Sequence, residues 1–458
     1  MSNFRNFLSP GRKGHLIGIG GVSMAPLAEV LYGMGLKITG SDISESEKVQ
    51  HLKSLGIKIY MGHHEENIED DTEFILRTAA VHDDNPEIVE AHKRGIPVFE
   101  RAEGWGAIMQ DYENAVCIAG THGKTTTTSM VTHVLMAAEK DPTVMIGGTL
   151  PLLDSSGYRV GKGSSIVLES CEYYNSFLSF FPTVAVITNV EEDHLDFFKD
   201  LDDIKKSFRE FAERVPKESG YVIVNSDDRN AMEVINGLDR HLITYGMSED
   251  SDIYPQNIEN VGATSRFDIY FRGEHFTSVT LHVPGRHNIS NALAASAVGI
   301  CLGIKPNAVS YGLAGFNGAG RRFEYKGKFN GADLYDDYAH HPSELKALID
   351  AVQPLGYKRI IVVFQPHTYT RTTALFDDFL EQLKRPDVVY LAEIYAAREQ
   401  NTEGITSAIF SEKLDNATYF SSMQDIVRNL RAAAQPGDLI LTVGAGDVYK
   451  IGEMLLCK

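Results

Sequence analysis

Four cysteines, a single tryptophan and a shortage of positive charge set the first limits on this 458-residue chain. Cys117, Cys171, Cys301 and Cys457 stand far apart with no C-x-x-C pair. That spacing suits neither a disulfide framework nor a structural zinc site, and free thiols in a reducing compartment are expected. Lys and Arg number 43 against 62 Asp and Glu, and the formal charge of -19 would repel phosphate backbones and anionic membranes. No nucleic-acid partner is therefore expected. An anionic small molecule stays open wherever Lys, Arg, a divalent cation and backbone N–H groups converge. No apolar run reaches the roughly 20 residues of a membrane span, so no membrane insertion is expected. The opening MSNFRNFLSPGRKGHLIG has no apolar stretch followed by small residues, so no signal peptide is expected and the location is expected to be cytoplasmic.

What is present is the alternation of an α/β protein. Short β-branched runs such as HLIGIGG, AVCIAG, SIVLES, TVAVITNV and RIIVVFQP alternate with helical stretches such as APLAEVLYGMG and TTTTSMVTHVLMAAEK. Such alternation signals mainly parallel sheets. The length exceeds one ordinary core, and three domains are expected, over 1–107, 108–315 and 316–458. A β-rich patch, DIYFRGEHFTSVTLHVPG, interrupts the pattern late in the middle domain, and no internal repeat is present.

Two turns carry phosphate chemistry. Gly120-Thr121-His122-Gly123-Lys124-Thr125-Thr126 lies between a strand and a helix, where glycines let backbone N–H groups approach a phosphate. Lys124 would add charge and the Thr125 hydroxyl could reach Mg²⁺. The generic P-loop wants a glycine at position 118, where this chain has Ile118. The plainer alternative is a strand-to-helix turn with a solvated lysine. The second turn, Gly18-Ile19-Gly20-Gly21-Val22-Ser23-Met24, also joins strand to helix, and Asp42 ends the next strand. Alone it reads as a dinucleotide fingerprint with Ser23 in place of the third glycine, which leaves an NAD-dependent dehydrogenase open as a rival.

Two acidic clusters follow the phosphate turn: LESCEYYNSFL, with Glu169 and Glu172, and TNVEEDHLD, with Glu191, Glu192, Asp193, His194 and Asp196. Carboxylates at strand ends near a phosphate loop suit Mg²⁺, although Glu191, Glu192 and Asp196 are equally explained as a solvated helix start. Further on, Asn288 and Asn291 in GRHNISNALAA stand one helical turn apart, suited to an adenine edge or to simple capping.

The shortened form Gly-Thr-x-Gly-Lys-Thr resembles the Mur ligases and the related folylpolyglutamate synthetases, and the resemblance extends over essentially the whole chain. It implies a three-domain architecture. A Rossmann-like UDP-binding domain comes first, then a P-loop ATPase-like central domain with a parallel sheet and the small β patch, then a Rossmann-like C-terminal domain. It also implies an ATP-dependent amide ligase that forms an acyl phosphate, with UDP-N-acetylmuramate, ATP and L-alanine as substrates and Mg²⁺ as cofactor.

Residue by residue, the resemblance makes Thr125, Glu169 and His194 metal ligands. It assigns ATP contacts to Gly120, Thr121, His122, Gly123, Lys124, Thr125, Thr126, His287, Asn288 and Asn291, to Arg322 after the hinge and to Asp337. Gly18, Gly20, Gly21, Ser23 and Asp42 become UDP contacts, because the first turn fits the family's G-x-G-G-x-x-M form. His340 and His341 of DDYAHHPSE, with His367 and Arg371 of FQPHTYTRT, are implied to form the amino-acid pocket. Lys124, Glu169, His194, Arg322 and Arg371 are the implied catalytic set. Arg321 is expected to be a surface residue, and Glu393 and Arg398 are weaker pocket candidates.

Two departures and two alternatives remain. Two aspartates common in the family's first acidic cluster are absent from Glu169–Tyr174. Thr368 replaces a common arginine. The peptide-recycling branch of the family shares most motifs and differs at the FQPHTYTRT segment, which here resembles the alanine-adding branch. A non-catalytic nucleotide binder would require a broken metal site, yet Lys124, Thr125, Glu169 and His194 are all present.

Overall fold

A computed structural model gives the structure of the chain and describes residues 3–457 except Ala79, Asp196, Arg398 and Glu403. Arg398 and Asp196 thus lie outside the described residues. The chain separates into two compact units, one of Met1–Glu192, Lys199–Tyr245 and Ala294–Ala308, the other of Asp193–Phe198, Gly246–Leu293 and Val309–Lys458.

The first unit holds two sheets. Five parallel strands run in the order Lys58–Met61, Lys37–Asp42, Lys13–Ile17, Phe74–Arg77, Val98–Glu100. The chain order reverses beside Lys13–Ile17, the switch point at which open α/β sheets bind ligands. The glycine turn that follows Lys13–Ile17 sits there. The other sheet pairs His241–Tyr245, Tyr221–Asn225, Val184–Ile187, Asn114–Ala119, Ser165–Glu169 and Thr143–Leu150 in parallel, and Ser156–Arg159 closes it antiparallel. Asn114–Ala119 lies in its middle, and every residue from Ala115 to Ala119 is buried. A strand covered on both faces reads as a continuous apolar run, which is why AVCIAG was legible.

The second unit contains the β-rich patch and the last sheet. Ile253–Val261, Thr264–Phe271 and Glu274–Leu281 form an antiparallel meander. The last hairpin turns on Arg272 (φ 50) and Gly273 (φ 83), two consecutive left-handed residues that suit the right-handed twist of paired strands. The patch is longer than its sequence suggests, because IYPQNIENV carries a proline and two asparagines where a strand is normally apolar. The last sheet runs in the order Glu324–Phe329, Ala332–Asp337, Asp438–Val443, Arg359–Phe364, Val388–Leu391, Ala417–Tyr419, and only its first pair is antiparallel. Its strands alternate their side chains between two cores. Ile360, Val362 and Phe364 pack with Leu439 and Leu441 on one face, while Ile361 and Val363 pack with Ile440 on the other.

Candidate functional site

The phosphate turn begins where Asn114–Ala119 ends. Gly120 has φ +139, and a Cβ there would lie 1.9 Å from the Thr188 hydroxyl, so only glycine fits. Gly123 (φ 81) then caps the helix Lys124–Ala137. The neighbouring strand end grips the turn: His122 N–H donates to Asn189 Oδ1 (2.7 Å), Asn189 Nδ2 donates to the His122 carbonyl (3.0 Å), and the Thr188 hydroxyl donates to the same carbonyl (2.6 Å). The His122 ring faces Glu191, with Nε2 3.4 Å from Oε2. The threonine run is buried in the helix, and among the described residues none of its hydroxyls is both fully buried and unbonded. Thr128 and Thr132 donate to the carbonyls of Lys124 (2.8 Å) and Thr128 (2.7 Å), each four residues back.

Lys124 folds back over the turn. Its ammonium donates to the carbonyls of Gly120 and Thr121 and lies 3.1 Å from Glu172 Oε2. Burial works against its charge, but Glu172, Cys171 and Glu169 together hold its pKa above the ordinary lysine value. The cation is therefore fixed in the charged form a phosphate needs. Beside it the Thr125 hydroxyl donates to Glu169 Oε1 at 3.0 Å, while Glu169 Oε2 accepts from Gly147 N–H at 2.7 Å. Two cis ligands of an octahedral Mg²⁺ are also about 2.9 Å apart, given metal–oxygen distances of about 2.0–2.1 Å. Thr125 and Glu169 thus already hold two hard oxygen donors at the spacing that cation requires. His194 belongs to the second unit, where its backbone is left-handed (φ 54).

In the first turn, the N–H groups of Gly18 (φ 74) and Ile19 donate to the Ser41 carbonyl, and Gly20 N–H donates to Asp42 Oδ2 at 2.8 Å. Asp42 Oδ1 accepts from Ser44 N–H (3.1 Å), so this carboxylate braces the turn as well as standing at the strand end. Ser23 is held at both its groups: its hydroxyl accepts from Arg101 and its carbonyl from Trp105 Nε1 (3.1 Å).

The second unit collects the amino-acid candidates. Arg371 donates from Nη2 (2.7 Å) and Nε (3.2 Å) to Asp193 Oδ1, and its Nη1 lies 3.3 Å from His367 Nδ1. Burial opposes ionisation of Asp193, but Arg371 and His194 outweigh it and hold the carboxyl well below its usual range. The His340 and His367 rings approach within 5.8 Å, and burial pushes both down to about 4, so both are neutral imidazoles near pH 7. His341 serves as N-cap of the helix Pro342–Val352, with Glu344 completing a capping box.

Arg322 lies 3.7 Å from Glu344 Oε1, and Asp337 accepts from the N–H groups of Phe323 (2.7 Å) and Ala339 (2.8 Å). Burial raises Asp337 to about 6 despite Arg322. Arg321, expected at the surface, instead donates to Asp336 (2.8 Å) and to the carbonyls of Gly444 (2.6 Å) and Gly446 (3.0 Å). A buried acid one strand residue before Asp337 recruits it. On the helix Arg286–Cys301, Asn288 donates to the Pro284 carbonyl (2.7 Å) and Asn291 to Asn288 Oδ1 (3.4 Å), while His287 is exposed. Glu393 is engaged with the Tyr419 hydroxyl (2.6 Å).

Three residues at these sites were not singled out from the sequence: Asn189, Gly147 and Arg101. Asn189 belongs to TNVEEDHLD, the segment already named for its acidic residues and His194, which was a signal. Gly147 and Arg101 had none.

Comparison with known proteins bears on the whole chain. Residues 13–113 match the model of the Mur ligase family, catalytic domain, residues 118–299 that of the Mur ligase middle domain, and residues 321–446 that of the Mur ligase, glutamate ligase domain. A UDP-N-acetylmuramate--L-alanine ligase of Clostridium novyi is 44% identical over 98% of this chain and 99% of its own length. Its counterpart in Agathobacter rectalis is 46% identical over 97% of each. The crystal structure of the UDP-N-acetylmuramate-alanine ligase of Thermotoga maritima superposes with a TM-score of 0.80 at 28% identity, covering 97% of this chain and 98% of the other. A murein peptide ligase of Psychrobacter arcticus shares the fold with a TM-score of 0.71 at 22% identity, over 97% and 98% of the two chains.

Proposed function

Because the chain belongs to the Mur ligase family, we propose that it joins L-alanine to the lactyl carboxylate of UDP-N-acetylmuramate, converting ATP to ADP and phosphate. The reaction is a step of peptidoglycan precursor synthesis. The observation that carries the chemistry is the Thr125–Glu169 oxygen pair beside a charged Lys124 on a pre-shaped phosphate turn.

The lactyl carboxylate attacks the γ-phosphorus of ATP and an acyl phosphate forms as ADP leaves. The amine of alanine then attacks the acyl carbon, and phosphate departs as the amide closes. Lys124 and the N–H groups of the turn neutralise charge on the transferring phosphoryl group, the main demand of such a step. Mg²⁺, when bound by Thr125 and Glu169, with His194 added from the family resemblance, would supply further positive charge to the phosphates. Arg371, with His367 at its flank, offers a fork for the alanine carboxylate. A neutral His340 near it leaves that fork the main cation facing the amino acid. Asn288, Asn291, Arg322 and Asp337 are proposed nucleotide contacts, and Gly18, Gly20, Gly21, Ser23 and Asp42 hold the UDP group.

The three matched segments support a division into UDP-sugar-, ATP- and amino-acid-binding domains at 1–107, 108–315 and 316–458. A nucleotide-sugar substrate, ATP and four free cysteines support a cytoplasmic setting. Among the described residues no helix is long and apolar enough to cross a membrane. The test is phosphate release with ATP, Mg²⁺ and UDP-N-acetylmuramate against a panel of amino acids and the L-alanyl-γ-D-glutamyl-diaminopimelate tripeptide. Turnover with alanine is expected. Turnover with the tripeptide and none with alanine would move the chain to the peptide-recycling branch.

A further inference from the structure

Arg101 begins the helix Arg101–Met109, and in a chain with 62 acidic residues against 43 basic ones it has no carboxylate. Among the described residues it makes one hydrogen bond, from Nη1 to the Ser23 hydroxyl, and no ion pair. The two nearest acids in sequence are already engaged. Glu100 accepts from Arg77 Nε (2.7 Å), and Glu103 accepts from the Glu100 N–H (2.7 Å). Burial lowers the pKa of the guanidinium from its ordinary value, with Cys171 and Glu100 as its electrostatic neighbours. Cys171 stands between Glu169 and Glu172, so Arg101 looks from the sugar-nucleotide turn toward the acidic segment beside the phosphate loop.

Arg101 is half-buried, and a guanidinium partly withdrawn from water without a counter-ion is costly; it carries five donors in a rigid fork matched to phosphate or carboxylate. Among the described residues, four of those donors have no protein partner. One helical turn on, Trp105 Nε1 holds the Ser23 carbonyl, so the helix that carries Arg101 also fixes the turn it faces.

We propose that Arg101 receives an oxyanion of the sugar nucleotide, from its diphosphate or its lactyl carboxylate, and so is a binding residue for this substrate beside the Gly18–Ser23 turn. The proposal rests on the reading of that turn as the UDP site. It also accounts for Ser23 standing where a dinucleotide fold has glycine: the hydroxyl orients the arginine rather than capping the helix Met24–Gly33, where Ser23 makes no side-chain capping bond.

The test is titration calorimetry of the full chain, wild type against Arg101→Met and Arg101→Lys, with UDP, UDP-N-acetylglucosamine and UDP-N-acetylmuramate. Steady-state KM values for ATP and alanine are measured in parallel. Arg101→Met is expected to weaken UDP-N-acetylmuramate about 10- to 100-fold, the range for hydrogen bonds to a charged group. Arg101→Lys should restore part of that, with the KM for ATP and alanine unchanged. Equal weakening of all three ligands assigns the oxyanion to the diphosphate; weakening of UDP-N-acetylmuramate alone assigns it to the lactyl carboxylate. Wild-type affinity for all three ligands in a folded Arg101→Met protein overturns the proposal. So does a loss that Arg101→Lys does not restore and that comes with a lowered Tm of the ligand-free protein, because Arg101 would then be a structural anchor for Ser23. A wild-type protein without affinity for any uridine nucleotide would remove the UDP reading itself, a different result.

Discussion

Gly147 offers a sharp perturbation of the Thr125–Glu169 pair, because it lies in a strand and touches neither ATP nor sugar in the proposed scheme. Its backbone conformation is open to alanine, but an added Cβ would stand 2.4 Å from Glu169 Oε1 and 3.0 Å from Oε2. Relief to an ordinary contact of about 3.4 Å requires the carboxylate to retreat by about 1 Å. The retreat breaks the 3.0 Å bond from Thr125 and the 2.7 Å bond from Gly147 N–H. Each hydrogen bond to a charged group is worth about 1.5–3 kcal/mol, and a displacement of about 1 Å at a catalytic group can cost about 100-fold in rate. Gly147→Ala should therefore lower kcat about 100-fold or raise the Mg²⁺ needed for half-maximal rate by about 10- to 100-fold. Its Tm should change little, because residue 147 is exposed. The assay is initial phosphate release across a Mg²⁺ series at saturating substrates, with Tm measured alongside. A folded variant with the wild-type rate and Mg²⁺ profile would refute the placement of Glu169 at the metal.

Other perturbations separate the remaining parts. Lys124→Ala should reduce turnover by about 1,000-fold or more while calorimetry still detects UDP-N-acetylmuramate, since the lysine serves only the phosphate turn. Asp193→Asn removes the partner of a nearly buried arginine and should destabilise the second unit by about 3–5 kcal/mol in urea unfolding, with part of the loss recovered in the double variant Asp193→Asn/Arg371→Met. Arg371→Lys keeps the charge but loses the fork, and should raise the KM for alanine more than it lowers kcat; an unchanged KM would take Arg371 out of the amino-acid pocket. Burial pushes His133 down to about 4, so unfolding raises its proton affinity. The stability from its neutral form is present above the unfolded pKa of about 6.5 and is lost as pH falls toward 4, on the order of 2–3 kcal/mol. Urea midpoints between pH 7 and pH 4 should fall less steeply in His133→Gln than in wild type.

The parallel sheets and the phosphate turn could be read from the sequence because each is a local signal. A strand such as Arg359–Phe364, covered on both faces, is a continuous apolar run, and Gly120–Thr126 packs its chemistry into seven neighbours. What escaped was made by distance or by absence of a side chain. Arg371 and Asp193 are 178 positions apart, and Arg101 and Ser23 are 78 apart. No spacing rule joins residues at such separations. Gly147 acts through its N–H and its missing Cβ, and neither leaves a mark in a strand that contains two glycines. The strand Ile253–Val261 was hidden by Pro255 and its asparagines, which oppose strand propensity until the antiparallel neighbour supplies the pairing.

The clasp between Asn189 and His122 has a thermodynamic consequence. A loop that coils around its ligand only on arrival gives up backbone freedom at that moment, and affinity falls by that amount. Here the curvature is maintained by bonds among the chain's own residues, so a triphosphate meets a mould that has already set. Nucleotide association should accordingly proceed with a small entropy loss and a heat-capacity change set by the surface covered alone, and loosening the clasp should surface first as a slower, more entropically opposed uptake of ATP.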